Sequence, residues 1–312
     1  MLYLHTLQVF HNISELNDLK NTIVTIGTFD GVHLGHQKII KRLVEIKQKQ
    51  GGQTLLFTFD PHPRKVLFPE QELKLITTTE EKCDLLKQFG IDNVLVYHFT
   101  REFSQTPAVS YISDVISKGL KTKTLVIGYD HRFGSNREGN IDTLRAVSEN
   151  YHFEVEEISA HEINQLNVSS TRIRKAIEEG DIVIANEFLG YSFFITGEVV
   201  KGKQLGRTIG YPTANIAISN SDKLIPKLGV YAVNVFHNGI KYRGMLNVGI
   251  NPTTDSDLKI KVEVNIFEFN QEIYGDVIKV EFLKRIRNEE KFANLDELKQ
   301  ALANDKIACS QI

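Results

Sequence analysis

The hydrophobic period of this chain changes once, near Tyr191, and no other feature constrains its fold as much. From Asn21 to about Leu189, short β-branched runs alternate with amphipathic stretches, which predicts βα units on a parallel sheet. Beyond Tyr191 the period becomes two, in GVYAVNVF (229–236), KYRGMLNVGI (241–250), KIKVEVNIFEF (259–269) and DVIKVEFL (276–283). These closely spaced runs, with the hairpin signal Asn238-Gly239 between two of them, predict a small antiparallel barrel and one helix near Leu295 to Leu302. The chain therefore divides into an α/β domain, residues 1–185, and a β-barrel domain, residues 186–312.

Within the first part, NTIVTIG (21–27) reads as a buried strand, and Ile39, Ile40, Leu43, Val44 and Ile46 then recur at helical spacing. Strands follow at 53–59, 93–99 and 124–128. Thr78 with Glu81 makes a capping box, Pro107 opens a helix, and two further helices cover 170–179, closed by Gly180, and 181–189. The 37 basic and 39 acidic residues leave a net charge of −2, so nothing in the overall charge directs the chain to nucleic acid or an anionic membrane. No apolar run reaches the about 18 residues of a membrane span, and Cys83 and Cys309 form no CxxC pair. A cytoplasmic protein is expected.

The sharpest motif is GTFDGVHLGHQ, Gly27 to Gln37, between the first strand and the first helix. A βα turn sets the helix N-terminus at the carboxyl edge of the sheet, where its N–H groups favour an anion. Gly31 and Gly35 remove side chains that would keep a ligand off the backbone, and His33 and His36, three apart, can share one face of the helical turn. Two imidazoles donating to phosphate oxygens would suit displacement of pyrophosphate. Alternatives are helix capping, or a metal held with His62, although a catalytic zinc usually takes three protein ligands.

In VSSTRIRKAIEEG (168–180), Ser170 and Thr171 offer hydroxyls at a helix start and Arg174 a guanidinium one turn on. With HLGH, this segment resembles the HxGH nucleotidyltransferases, which carry a Rossmann-like sheet. FDPHPR (59–64) and GYDHRFG (128–134) fall at the same sheet edge and make the first half similar to the FMN adenylyltransferase module of bacterial bifunctional riboflavin kinase/FAD synthetases. The resemblance implies nucleotide or flavin contacts at Gly27, Phe29, Asp30, Gly35, Asp60, His62, Asp130, Ser170 and Thr171, with His33, His36 and Arg174 catalytic. That family usually has Phe where this chain has His131.

In the second half, Gly202 to Thr208 is not a P-loop: the spacing is one residue short, Arg207 stands where Lys is required, and no helical pattern follows. The glycine-rich arch can still present N–H groups to phosphates, and Thr213 and Asn215 supply two hard oxygens for Mg²⁺. GRTIGYPTANI (206–216), GVYAV (229–233), NVGINPT (247–253), VEVNIFEF (262–269) and IRNEEKF (286–292) are similar, in that order, to the riboflavin kinase domain, a Greek-key barrel. The resemblance implies Glu263 as general base, Thr213 and Asn215 on Mg²⁺ and phosphate, and ligand contacts at Gly202, Gly206, Thr208, Gly210 and Arg287. The family often has His and Asp where this chain has Asn265 and Glu268.

The whole chain is thus expected to convert riboflavin and ATP to FMN, then FMN and a second ATP to FAD and pyrophosphate. A nucleotidyltransferase for another phosphorylated metabolite, or a non-catalytic flavin-sensing regulator, are the alternatives.

Overall fold

The computed structural model describes residues 6–159, 168–202, 205–251 and 259–312. They pack as two compact units, Met1–Ser170 and Thr171–Ile312.

In the first unit the parallel sheet runs β1 (Gln8–Phe10), β4 (Asn93–His98), β3 (Gln53–Asp60), β2 (Thr22–Ile26), β5 (Thr122–Gly128) and β6 (Glu154–Ile158). All five residues of β2 are buried, as a strand covered on both faces requires. The four central strands match the sequence expectation. The edge strands β1 and β6 do not figure in it, because exposed edge residues such as Gln8, Val9 and Glu154 leave no buried run to recognise. Strand order reverses at β2, whose neighbours are β3 and β5, so the loops after β2 and β5 flank the switch point where ligands bind such sheets.

Helix α1 (Leu34–Gln50) follows β2 directly and buries Ile40, Leu43 and Ile46. Helix α2 (Pro63–Leu67) follows β3. Helix α3 (Thr79–Gln88) starts on the expected capping box: Thr78 Oγ1 accepts from the Glu81 N–H at 3.2 Å, and Glu81 accepts from the Thr78 N–H at 3.0 Å. The helix after Pro107 continues as a π-helix from Tyr111 to Gly119.

The second unit is a closed antiparallel barrel in the order β10 (Ile240–Asn251), β11 (Lys259–Ile266), β8 (Ala214–Ala217), β7 (Phe194–Val200), β12 (Val277–Arg287) and β9 (Gly229–His237). Asn238 (φ 50°) and Gly239 (φ 78°) take the left-handed turn that joins β9 to β10, as their sequence predicts. Phe193, Tyr231 and Phe282 fill the interior. The helices Ser170–Glu179 and Ile182–Leu189 supply hydrogen bonds to this unit: Lys227 N donates to Ile177 O at 3.3 Å and Asn186 Nδ2 to Phe282 O at 2.9 Å. The C-terminal helix runs from Leu295 to Ser310, longer than its apolar pattern predicts, since the extra turns bury Asp305 and Cys309.

Candidate functional site

The turn after β2 is held by a buried carboxylate. Asp30 accepts from the N–H of Ile76 at 3.2 Å, the N–H of Thr77 at 3.1 Å and the Thr77 hydroxyl at 3.4 Å. Asp30 is thus occupied in tying the turn to the segment before α3. Gly27 N–H donates to Phe57 O at 3.0 Å, fixing the turn to β3. Gly31 has φ 79°, and a Cβ there would lie 2.9 Å from Ile76, so both conformation and space require glycine. Ser170 Oγ donates to the Asp30 carbonyl at 3.1 Å, bringing a hydroxyl of the second motif to the turn. Thr171 is exposed and Arg174 buried, and both fall in the second compact unit.

His33 and His36 stack with ring centroids 3.7 Å apart, and Phe29 lies 4.7 Å from His36. Gly35 permits the stack, because a Cβ there would sit 3.3 Å from the His33 ring. His33 occupies the N-cap position of α1 without a side-chain capping bond, so capping does not explain it. Burial, then His33 and Lys82, push His36 well below the ordinary histidine range. His36 is therefore neutral at pH 7, one ring nitrogen carrying a hydrogen and the other a lone pair. Its Nδ1 is buried and finds no hydrogen-bond partner among the described residues.

The neighbouring loops behave differently. His62 Nδ1 accepts from the Arg64 N–H at 3.1 Å and so caps α2. Among the described residues no three His, Cys, Asp or Glu side chains are grouped to hold a metal. Asp60 and Asp130 are exposed at the ends of β3 and β5, with Asp60 accepting from Thr79 Oγ1 at 3.0 Å. His131 Nε2 is buried without a hydrogen-bond partner, and burial pushes its imidazole down to about 4.

In the barrel, Glu263 on β11 is registered opposite Asn215 on β8 and Asn247 on β10. A cavity of about 250 Å³ is lined by Thr213, Asn247, Glu263, Arg287, Phe292 and Asp305. Thr213 also borders a smaller cavity with Arg207 and Tyr274. The amide of Asn215 rests against Gly202, where a Cβ would lie 2.1 Å from it. Tyr211 N–H returns to Gly206 O at 2.8 Å, and Leu205–Thr208 forms a single helical turn inside the arch. The sequence predicts no helix after this stretch. The turn is too short to be the long helix of a P-loop, and the chain passes through Gly210 (φ 89°) into β8. Thr208 is exposed, while Lys203 and Gln204 of the glycine-rich arch, and 252–258, which include the end of the matched motif 247–253, lie outside the described residues.

Two contacts in this site are not visible in the sequence pattern. Lys261, two residues before Glu263 on the same strand, places its Nζ 2.6 Å from Glu263 Oε1. Arg287 spends its guanidinium on Asp305 of the C-terminal helix, with bonds of 2.9, 3.2 and 2.8 Å. The Arg287–Asp305 pair braces the cavity wall, so ligand contact by Arg287, implied by resemblance, would have to come from its remaining N–H groups.

Residues 15–172 match the family model for FAD synthetase and residues 189–312 that for riboflavin kinase. Among curated relatives, the bifunctional riboflavin kinase/FMN adenylyltransferase of Listeria monocytogenes is 38% identical over 304 residues, covering 96% of each chain. The Bacillus subtilis protein of the same name is 36% identical, covering 98% of this chain and 96% of its own. A solved Streptococcus pneumoniae structure, named a macrolide-efflux protein, superposes with TM-score 0.88 at 33% identity, covering 98% of this chain and 99% of that one. Among the described residues here, no helix is long and apolar enough to cross a membrane.

Proposed function

This chain belongs to the bifunctional riboflavin kinase/FMN adenylyltransferase family, and we propose that each of its two sites carries one of the two steps. It is a transferase that makes flavin cofactors with ATP as co-substrate. Riboflavin kinase activity belongs to residues 186–312 and FMN adenylyltransferase activity to residues 1–185, on either side of the join between the matched models. The observation that carries this reading is that each compact unit holds a polar site of a different chemistry, stacked imidazoles at a switch point in one and a carboxylate beside a cavity in the other.

In the barrel, Glu263 accepts the proton of the ribityl hydroxyl as that oxygen attacks the γ-phosphorus of ATP, and ADP leaves. The hydroxyl of Thr213 and the amide oxygen of Asn215 are hard donors that fit Mg²⁺. The ion supplies charge neutralisation at the phosphates when bound. Gly202, Gly206 and Gly210 let the arch approach those phosphates closely.

In the α/β unit, a phosphate oxygen of FMN attacks the α-phosphorus of a second ATP and pyrophosphate leaves. A phosphate nucleophile is already ionised at neutral pH, so no base is required. His33 and His36 donate hydrogen bonds to the charge that builds, with Ser170, Thr171 and Arg174 on the outer phosphates. Gly27, Phe29 and Gly35 shape the turn, and Asp60, His62 and Asp130 border the flavin side. The free thiols Cys83 and Cys309 accord with the reducing cytoplasm we assign.

The test is incubation of the purified protein with riboflavin, ATP and Mg²⁺, with chromatography of the flavins over time. FMN should appear first and FAD after it. A protein that yields FMN but no FAD would remove the assignment of the first unit, and one that yields neither would remove both.

A further inference from the structure

Lys82 is an unusual residue to find in the core of the first unit. It lies on α3, is 6% exposed, and its Nζ donates to the Thr28 carbonyl at 3.1 Å and to Thr58 Oγ1 at 2.9 Å. Thr58 Oγ1 in turn donates to the same Thr28 carbonyl at 3.1 Å. No carboxylate comes within ion-pair distance of Lys82 among the described residues. Burial lowers its pKa from the ordinary lysine value, while Asp30, Cys83 and Asp60 act the other way from longer range, and the carboxylate oxygens are engaged by Ile76, Thr77 and Thr79. A buried ammonium without a counter-ion costs several kcal/mol, which packing alone does not demand, since Leu or Met would fill the same volume.

The position of Thr28 gives the lysine a role. Thr28 stands between Gly27 and Phe29 inside the turn that carries His33 and His36. In a trans peptide the N–H of the next residue points opposite to the carbonyl, so fixing Thr28 C=O toward Lys82 fixes Phe29 N–H on the other side. That N–H takes no hydrogen-bond partner among the described residues. Of the two histidines beside it, His36 is held neutral by burial and so supplies a donor without a formal charge. The field of Lys82 reaches them, being one of the causes that hold His36 low, after burial and His33.

We infer that Lys82 is a positioning residue of adenylyl transfer: its buried ammonium sets the turn for phosphate and supplies a positive charge that the triphosphate balances. This rests on the assignment of FMN adenylyltransferase activity to the HLGH turn. Because Lys82 is buried, it acts through Thr28 and through its field, without touching the nucleotide.

The experiment compares Lys82→Met and Lys82→Arg in the full chain. It measures kcat and KM for ATP in FAD formation, inhibition by pyrophosphate, FMN formation and the thermal midpoint. Lys82→Met should lower kcat/KM for ATP by about a hundredfold, with KM and the pyrophosphate inhibition constant rising together. FMN formation should stay within about twofold, and Lys82→Arg, which keeps the charge, should recover most of the loss. A Met variant that matches the wild type overturns the inference, and so does an Arg variant no better than Met. So would a loss of FAD formation that follows the thermal midpoint with KM for ATP unchanged. His36→Ala, assayed alongside, separates the two layers. If it is impaired while Lys82→Met is not, only the role of Lys82 fails. If His36→Ala is fully active, the reading of the turn fails and this inference with it.

Discussion

The two sites hold charge in opposite ways. At the turn after β2, Asp30, His33 and Lys82 are only 3%, 7% and 6% exposed, and the imidazoles are locked by stacking. In the barrel, the side chains of Lys261 and Glu263 keep 30% and 24% exposure and form an ion pair beside an open cavity. The difference follows from the nucleophiles. A phosphate arrives ionised and asks only for fixed donors in a dry setting, whereas a ribityl hydroxyl must give up a proton to a carboxylate. One chain therefore carries a packed site and a solvated one, and substitutions should tell them apart.

The sharpest separation is expected at Glu263. Glu263→Gln keeps the side chain's shape but removes the proton acceptor, and FMN formation should fall by on the order of 10²–10⁴. FAD formation from supplied FMN should remain within about twofold when both products are resolved by chromatography. Equal loss of both activities would mean that the units do not act independently.

The reverse experiment removes one preorganised donor from the packed site. His36→Ala should lower FAD formation from supplied FMN by about 10²–10³ and leave FMN formation intact. Initial rates at saturating ATP decide the matter, and a variant that still makes FAD normally would take the stacked histidines out of the mechanism.

The contrast extends to stability. In the barrel, Asp305 has a side chain only 4% exposed and depends on Arg287, which is 20% exposed. Arg287→Met should destabilise the barrel by about 3 kcal/mol, toward the lower end of the cost of breaking a buried pair because Arg287 is partly solvated. Urea unfolding read from a barrel probe measures this. The double variant Arg287→Met with Asp305→Asn should lose less than the single one, because the uncompensated carboxylate is gone.

Much of this was legible in the sequence because it is local. The change of period near Tyr191 marks the passage from parallel sheet to barrel, and Thr78 with Glu81 and Asn238 with Gly239 carry their cap and turn in adjacent residues. GVHLGH is legible for the same reason: Gly31, His33, Gly35 and His36 sit within six consecutive residues. The long-range partners within each site are not. Lys82 reaches Thr28 across 54 positions and Asp305 reaches Arg287 across 18, and no pattern of spacing announces either. His62 shows the converse, since it sits in a motif implied by resemblance yet its Nδ1 caps α2. Asp30 likewise sits in the motif but spends its oxygens on the backbone of Ile76 and Thr77.

The smallest expected effect concerns His131, where the related family usually has Phe. Burial is the main cause that pushes its imidazole down to about 4, with Asp130 pulling it up and Arg137 pushing it down. In the unfolded chain a histidine titrates near pH ~6.5. Between those two values the unfolded state binds the proton and the folded state does not, so folding stability is fully present above pH ~6.5 and declines as pH falls toward about 4. The slope in that window is at most about 1.4 kcal/mol per pH unit from this one group. His131→Phe removes the group, and with it the buried Nε2 that finds no partner. Urea midpoints of the α/β unit at pH 7 and pH ~5 should therefore draw closer together in the variant than in the wild type. Two parallel curves would mean that the folded unit protonates His131 as readily as water does, and that the loop after β5 is not the dry surface its burial describes.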